Sequence, residues 1–392
     1  MWFRRRIYLD YASATPVLPK AARAAARAAQ NFGNPGSIHA EGVVAKKSLQ
    51  ESREKLAFEL GVKARELIFV SGGTEANNLS ILGVARALSR KGKLEGTHWI
   101  TTTIEHPSVL ECFSEVERLG AAVTHLKPDK NGIIHADELA RALRNETVLV
   151  SIAWANHEIG VVQPIAALAQ VIRAYEEKEN TTVLLHIDAG QAPLYKSPQV
   201  HSLDADLVSF DSGKLYGPRG IGAVYVSNRA ELSPQIVGGG QERGLRAGTE
   251  NVALAAGFAE AVQAIGKERN NEAKRLGQLR DLLMKGLMES APDSIINGEL
   301  SRSLPHILNI SFPNMKSEYL TLALDATGIA VATKSACREG EESISHVVEA
   351  LGGPEWRAKN TIRISLGRNI SRKDIERTIK SFKKALEVIS IK

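Results

Sequence analysis

Seven short apolar runs separated by helix-like stretches do most to constrain this fold. They are ELIFV (66–70), HWITTTI (98–104), AAVTHL (121–126), VLVSIAW (148–154), VLLHID (183–188), LVSF (207–210) and GAVYV (222–226). Each is the length of one buried strand. Helical patterns at 107–119, 136–144 and 164–178 lie between several of them, and two more, at 15–31 and 41–60, precede them. Short strands alternating with helices predict an α/β domain built on a mainly parallel, doubly wound sheet. Such a sheet holds ligands in the crevice at the carboxyl ends of its strands. The residues just after each apolar run are therefore where chemistry is to be sought.

From about Val252 the texture changes. A long charged helical stretch, roughly 252–290, leads to shorter strands at ILNISF (307–312), IAVAT (329–333) and TIRISL (361–366), then a helical tail at 371–389. With 392 residues, two domains are the natural expectation. The division predicted is a large domain over 15–255 and a smaller α/β domain made of 1–14 plus 256–392. Apolar residues make up 43% of the chain and charged ones 24%, ordinary proportions for a globular protein. The formal charge of +6 is spread along the chain, so neither nucleic acid nor a membrane surface is an expected partner. No run approaches the roughly 18 apolar residues of a membrane span. Arg4-Arg5-Arg6 precedes IYLD with no long apolar region behind it, unlike a secretory signal. The two cysteines, Cys112 and Cys337, are too few for a disulfide scaffold, and a cytoplasmic setting is expected.

Five strand ends carry candidate chemistry. SGGTEANN (71–78) follows one strand, and its glycines let backbone N–H groups approach an anion at a helix N-terminus opened by Thr74. The alternative is a plain strand-to-helix turn capped by Thr74. HIDAGQ (186–191) places Asp188 where a carboxylate could hold a proton on a heteroaromatic ring nitrogen, or simply cap a helix. EHP (105–107) and ANHEIG (155–160) put His106 and Asn156 at two further ends. The fifth is LVSFDSGKLYGPRG (207–220), which sets Lys214 on a small-residue turn between two strands. Locally it could be a surface lysine. Buried, it could supply a neutral amine for a Schiff base.

The conjunction, in this order along the chain, is the layout of a fold-type I pyridoxal 5'-phosphate (PLP) enzyme. The chain resembles the cysteine desulfurases of the NifS/IscS type, class V of the aminotransferases, nearly end to end. The blocks YLDYASATPV, FGNPGSIHAEG, SGGTEANN, IEHPSVL, ANHEIGVVQPI, HIDAGQ, KLYGPRGIGAVYV, GGGQERGLRAGT, SAC and IRISLGR follow the family's order. The resemblance implies PLP as cofactor, with Lys214 as the Schiff-base lysine. Asp188 would hold the pyridine nitrogen and Gln191 the ring hydroxyl. His106 would stack on the ring and carry protons. Gly73 and Thr74 would bind the phosphate, with Ser209 and Ser212 among the cofactor contacts. Thr249 would reach the phosphate of the other subunit of a homodimer. Asn156 and Arg363 would hold the substrate carboxylate, with Asn34 lining the substrate side.

Cys337, in TKSACREGEESISHVV, is the implied sulfur acceptor. Lys334 and Arg338 flank it and could stabilise a thiolate. Cys112, in an apolar helical pattern, reads as structural. The implied reaction takes L-cysteine to L-alanine and leaves sulfur as a persulfide on Cys337. The sulfur would pass to an acceptor protein such as an Fe–S scaffold, or to thiolation. No metal site is expected, a transient Fe–S contact of Cys337 aside. The rivals are another class V enzyme, such as a selenocysteine lyase, and a catalytically weak scaffold for Fe–S assembly. The chain departs from the family at the lysine turn, where Asp211 and Gly213 replace a serine and a histidine that help hold the phosphate. Ser212 could substitute as donor. Thr333 and Lys334 replace a serine–glycine pair before the SAC loop.

Overall fold

The computed structural model describes residues 5–333 and 344–389. After the two-residue strand β1 (Ile7–Tyr8), one sheet is formed by β2 (Leu67–Val70), β3 (His98–Thr102), β4 (Ala122–Leu126), β5 (Thr147–Ala153), β6 (Leu184–Asp188), β7 (Leu207–Asp211) and β8 (Gly222–Val226). Its order is β2-β8-β7-β6-β5-β3-β4, parallel throughout except that β8 runs antiparallel to both neighbours. Every one of the seven expected strands is present. Apart from the edge strand β4, their largely apolar character follows from burial on both faces. The burial is supplied by helices α1 (Pro19–Ala28), α2 (Ala40–Leu60), α3 (Gly73–Arg90), α4 (Pro107–Arg118), α5 (Ala136–Ala142) and α6 (Ile165–Glu179).

The 39-residue helix α7 (Val252–Ser290) follows. Asn251 caps it by accepting the Leu254 N–H at 3.0 Å. The helix crosses position 255–256 without a break and packs against α1 and α2 as well as against the C-terminal helix. A second, four-stranded sheet has the order β12 (Ala332–Thr333), β13 (Thr361–Ser365), β10 (Ile307–Ser311), β9 (Ile295–Ile296), all antiparallel. The strand expected over 329–333 is split, because β11 (Ile329–Ala330) leaves that sheet and pairs with β1 in parallel. This pairing ties the N-terminal arm to the C-terminal part of the chain. Helices α8 (Ser317–Ala326), α9 (His346–Ala350), α10 (Glu355–Lys359) and α11 (Arg372–Ile389) complete the described chain.

Candidate active site

Four of the flagged strand ends deliver side chains into one chamber of about 340 Å³. Thr74 comes from the start of α3, His106 from the start of α4, Asp188 from the end of β6 and Lys214 from the turn after β7. Arg363, on β13 of the smaller sheet, closes the chamber from the other side together with Ala12 and Ser13 of the N-terminal arm.

The turn that carries Lys214 is built from its neighbours. Asp211 ends β7 and its Oδ1 accepts the Gly213 N–H at 2.8 Å, capping the single turn Ser212–Lys214. Tyr216 then adopts a left-handed conformation with φ of 55°, unusual for a bulky residue. It is held there by its own N–H on Thr15 Oγ1 at 2.8 Å and by the Leu18 N–H on its carbonyl at 2.9 Å. The arm thus fixes a backbone that the turn alone would not hold. The Lys214 ammonium donates to the carbonyl oxygens of Ala12, at 2.9 Å, and Ser13. Burial lowers its pKa below the usual lysine value, with Arg363 adding to the effect against the opposing carboxylate of Asp211. That shift raises the neutral, nucleophilic fraction of the amine.

Asp188 is held by two donors. Its Oδ1 accepts the Gly190 N–H at 2.9 Å and its Oδ2 accepts Asn77 Nδ2 at 3.0 Å. Asn77 also donates to Ser108 Oγ at 2.9 Å, and Ser108 lies 2.8 Å from His106 Nδ1. The Ser108 backbone N–H donates to the same His106 Nδ1 at 3.1 Å, so Nδ1 accepts and the neutral ring carries its proton on Nε2. Burial keeps the His106 pKa below its ordinary value. The His157 ring stands edge-on at 5.1 Å, and burial with its histidine neighbours pushes its pKa down further.

Arg363 donates to Asp10 Oδ1 and to the His157 carbonyl, both at 2.9 Å, and to Ser13 Oγ, while its Nε has no partner among the described residues. Gln191 donates to Ala12 O at 2.8 Å, and its buried Oε1 has no partner among the described residues. Asn156 sits behind the wall rather than on it. Its Nδ2 donates to Ile104 O and its Oδ1 accepts the Glu158 and Ile159 N–H groups, so it shapes the turn that presents His157. Ser209 is also behind the wall, 2.9 Å from His186 Nε2. The Ser212 hydroxyl faces Gly217, where an added Cβ would stand 2.1 Å from it. Asn34, on an exposed turn with its Oδ1 on the Gly36 N–H, and Thr249, also exposed, do not line this chamber. Cys337, with Lys334 and Arg338, lies outside the described residues. Cys112 is buried on α4 with its thiol toward Ser108 O, and burial pushes that thiol up to about 12, a poor nucleophile.

Asn77, Ser108, Asp10, Ser13 and His157 had no place in the residue-by-residue reading. Each lies within or beside a quoted block, but what singles it out is a bond across the fold.

The pattern of the family described as aminotransferase class-V matches residues 7–378. The chain belongs to that family. A relative from Dictyoglomus turgidum named cysteine desulfurase IscS is 39% identical over 385 residues, covering 98% of this chain and 95% of the relative. A solved NifS-like protein superposes with a TM-score of 0.90 at 32% identity, covering 98% of this chain and all of the other. The structure described as SspA in complex with cysteine gives 0.79 at 32% identity over 92% of this chain and 98% of that one. The resemblance drawn from the motifs and the α/β fold expected from the strand pattern agree with these matches.

The residues present fit PLP. A carboxylate fixed by two donors suits a protonated ring nitrogen. Gln191 Oε1 and Asn77 Oδ1 are buried polar positions with no partner among the described residues. The N-terminus of the 18-residue helix α3, entered through Gly72 and Gly73, suits a phosphate.

Proposed function

We propose that this protein is a PLP-dependent cysteine desulfurase that releases L-alanine and keeps the sulfur as a persulfide on Cys337. One observation carries the reading: the largely buried Lys214 shares a chamber with Asp188 and His106, each at an element end, and with Arg363 from the middle of β13. When bound, PLP would supply an electron sink for the α-carbon of the substrate. Lys214 would hold the cofactor aldehyde and, once released, move the α-proton. Asp188 would keep the ring nitrogen protonated. His106, with its proton on Nε2, would cover the ring and donate rather than accept. Arg363 would take the substrate carboxylate through a bidentate contact, and Asp10 would hold that guanidinium in place beforehand. The Cys337 thiolate would attack the sulfur of L-cysteine. The C–S bond breaks, an S–S bond forms, and the substrate carbon takes a proton, so L-cysteine plus a thiol balances as L-alanine plus a persulfide.

Exposed apolar residues at Phe32 (84% exposed), Ile38 (97%) and Phe58 (80%) support a homodimer. In that dimer Thr249 would reach the other subunit's phosphate. No described helix is long and apolar enough to cross a membrane. An acceptor protein, such as an Fe–S scaffold, would take the persulfide sulfur.

The test is to supply L-cysteine and PLP to purified protein and measure alanine and protein-bound persulfide. The expected result is both products in equal amounts at early times, and neither from Cys337→Ala. Alanine formed undiminished by Cys337→Ala would overturn the persulfide route. It would favour another class V reaction, such as that of a selenocysteine lyase. A protein that takes up no PLP would leave the scaffold reading, which the position of Asp211 beside the phosphate cradle favours.

A further inference from the structure

The N-terminus of α3 opens onto a second cavity of about 280 Å³, contiguous with the chamber through Gly73, Thr74, Asp211 and Lys214. Its charges do not suit a phosphate without help. The Asp211 carboxylate faces the glycine turn, since a Cβ on Gly73 would stand 3.2 Å from Asp211 Oδ2. Asp211 makes no ion pair among the described residues; its one partner is the Gly213 N–H. The other carboxylate on this cavity, Glu75, is neutralised by Arg246 at 3.0 Å. Lys214 is turned to the arm carbonyls, and the Ser212 hydroxyl is turned to Gly217. A dianion placed here meets an unpaired carboxylate.

Arg219 lies on the same cavity. It is exposed and makes no hydrogen bond or ion pair with the described residues, so its guanidinium is uncommitted. Its stem occupies the space beside Gly213: a Cβ at 213 would stand 3.1 Å from Arg219 Cγ and 3.3 Å from Asp211 Oδ1. A side chain at 213 and Arg219 in its present course compete for one volume. Glycine at that position is what lets the arginine lie across the turn.

We propose that Arg219, admitted by Gly213, is the cation that offsets Asp211 and binds the phosphate of the cofactor in this protein. The inference rests on the PLP reading above, and it assigns the phosphate contact to a residue that the motif comparison did not mark. A guanidinium presents two parallel N–H donors to a phosphate and keeps its charge at any working pH. Arg219 reaches the cavity from the solvent side, where it can turn with the entering ligand. Asp211 keeps its task of capping the lysine turn.

The experiment titrates the full-length protein, freed of cofactor, with PLP and separately with pyridoxal, which lacks the phosphate. Binding is followed by visible absorbance and by tryptophan fluorescence. Arg219→Gln is expected to weaken PLP about 10- to 100-fold, the worth of a hydrogen bond to a charged group, and to leave pyridoxal within about 2-fold. Asp211→Asn is expected to tighten PLP and leave pyridoxal unchanged. Gly213→His added to Arg219→Gln is expected to recover part of the lost PLP affinity, whereas in the Arg219 background it gains little. Equal weakening of PLP and pyridoxal by Arg219→Gln, or a change below about 2-fold in both, would overturn the proposal. Wild-type protein that binds neither ligand and forms no alanine from L-cysteine would bring down the PLP reading itself, and the proposal with it.

Discussion

Asp188 and Asp211 are the last residues of adjacent parallel strands, two positions out of register, and both face the same chamber. Sequence alone gives them equal standing as carboxylates after an apolar run. Their surroundings separate them. Asp188 has one oxygen on a backbone N–H and the other on Asn77, and Asn77 links it through Ser108 to His106. Asp211 has one oxygen on the Gly213 N–H and turns the other toward a glycine turn built for an anion. One carboxylate is braced to meet a cation, and the other is spent on holding a backbone turn. The role of an acid at a strand end is set by what holds its second oxygen.

The strongest way to break this contrast is to make the two residues amides. Asp188→Asn removes the charge that would hold a proton on the ring nitrogen. The expected loss is on the order of 10³-fold in kcat for alanine formation with PLP in excess, within the usual range for removing a positioned proton partner. Asp211→Asn keeps the cap, because the amide oxygen still accepts the Gly213 N–H, and its kcat is expected to stay within a few-fold of wild type. Comparable losses at both positions would show that the two carboxylates share a task.

The strand pattern of the large sheet was readable because every strand but the edge strand β4 is buried along most of its length and the strands are flanked by helices of ordinary length. All seven runs became strands. The smaller sheet was less readable. Its strands β9 and β12 are two residues each, and the equally short β11 beside them joins the arm rather than the sheet, a choice set by pairing with Ile7 and Tyr8 more than 300 positions away. At the site, the ends of strands and the first turns of helices were legible as local patterns. The partners were not. Nothing near Lys214 in sequence announces that Ala12 and Ser13 hold its amine, and nothing near Arg363 announces Asp10. Asn156 shows the converse: a strand-end amide that looked available spends both side-chain atoms on backbone groups.

A smaller perturbation sharpens the contrast by making one aspartate resemble the other. Asn77→Ala leaves Asp188 with the Gly190 N–H alone, the same holding that Asp211 has. It also frees Ser108 from its amide donor and loosens the tautomer of His106. The expected result is a loss of about 10-fold in kcat, typical of a residue that orients a catalytic partner, together with a shift in the pH profile. An unchanged profile would mean that the Gly190 N–H suffices.

The smallest effect concerns the brace between the two strands themselves. His186, two residues before Asp188 on β6, is buried and spans from Ser151 Oγ on β5, at 2.8 Å, to Ser209 Oγ on β7, at 2.9 Å. It therefore fixes the spacing at which the two aspartates stand. Burial lowers its pKa to about 4 against an ordinary value of 6.5. The unfolded chain takes the proton first, so this contribution to stability is complete above pH 6.5 and is lost as pH falls toward 4. The buried His98 and His306, lowered to about 4 and about 3, act with the same sign. Glu105 acts with the opposite one: burial raises it to about 8, so its contribution is present below about pH 4.5 and lost as pH rises through 8. With His157 and His106 lowered in the same direction, the histidines outnumber this one glutamate, and together these groups give a stability that climbs to about pH 6.5 and then declines toward pH 8. His186→Gln keeps two hydrogen-bonding ends and cannot titrate. Thermal unfolding of both proteins between pH 5 and 7.5 should show the variant losing less on acidification, by about 2 kcal/mol, or about 2 °C in Tm for a chain of this length. Parallel curves would place the acid sensitivity in the other buried histidines and leave the spacing of the aspartates independent of the charge on His186.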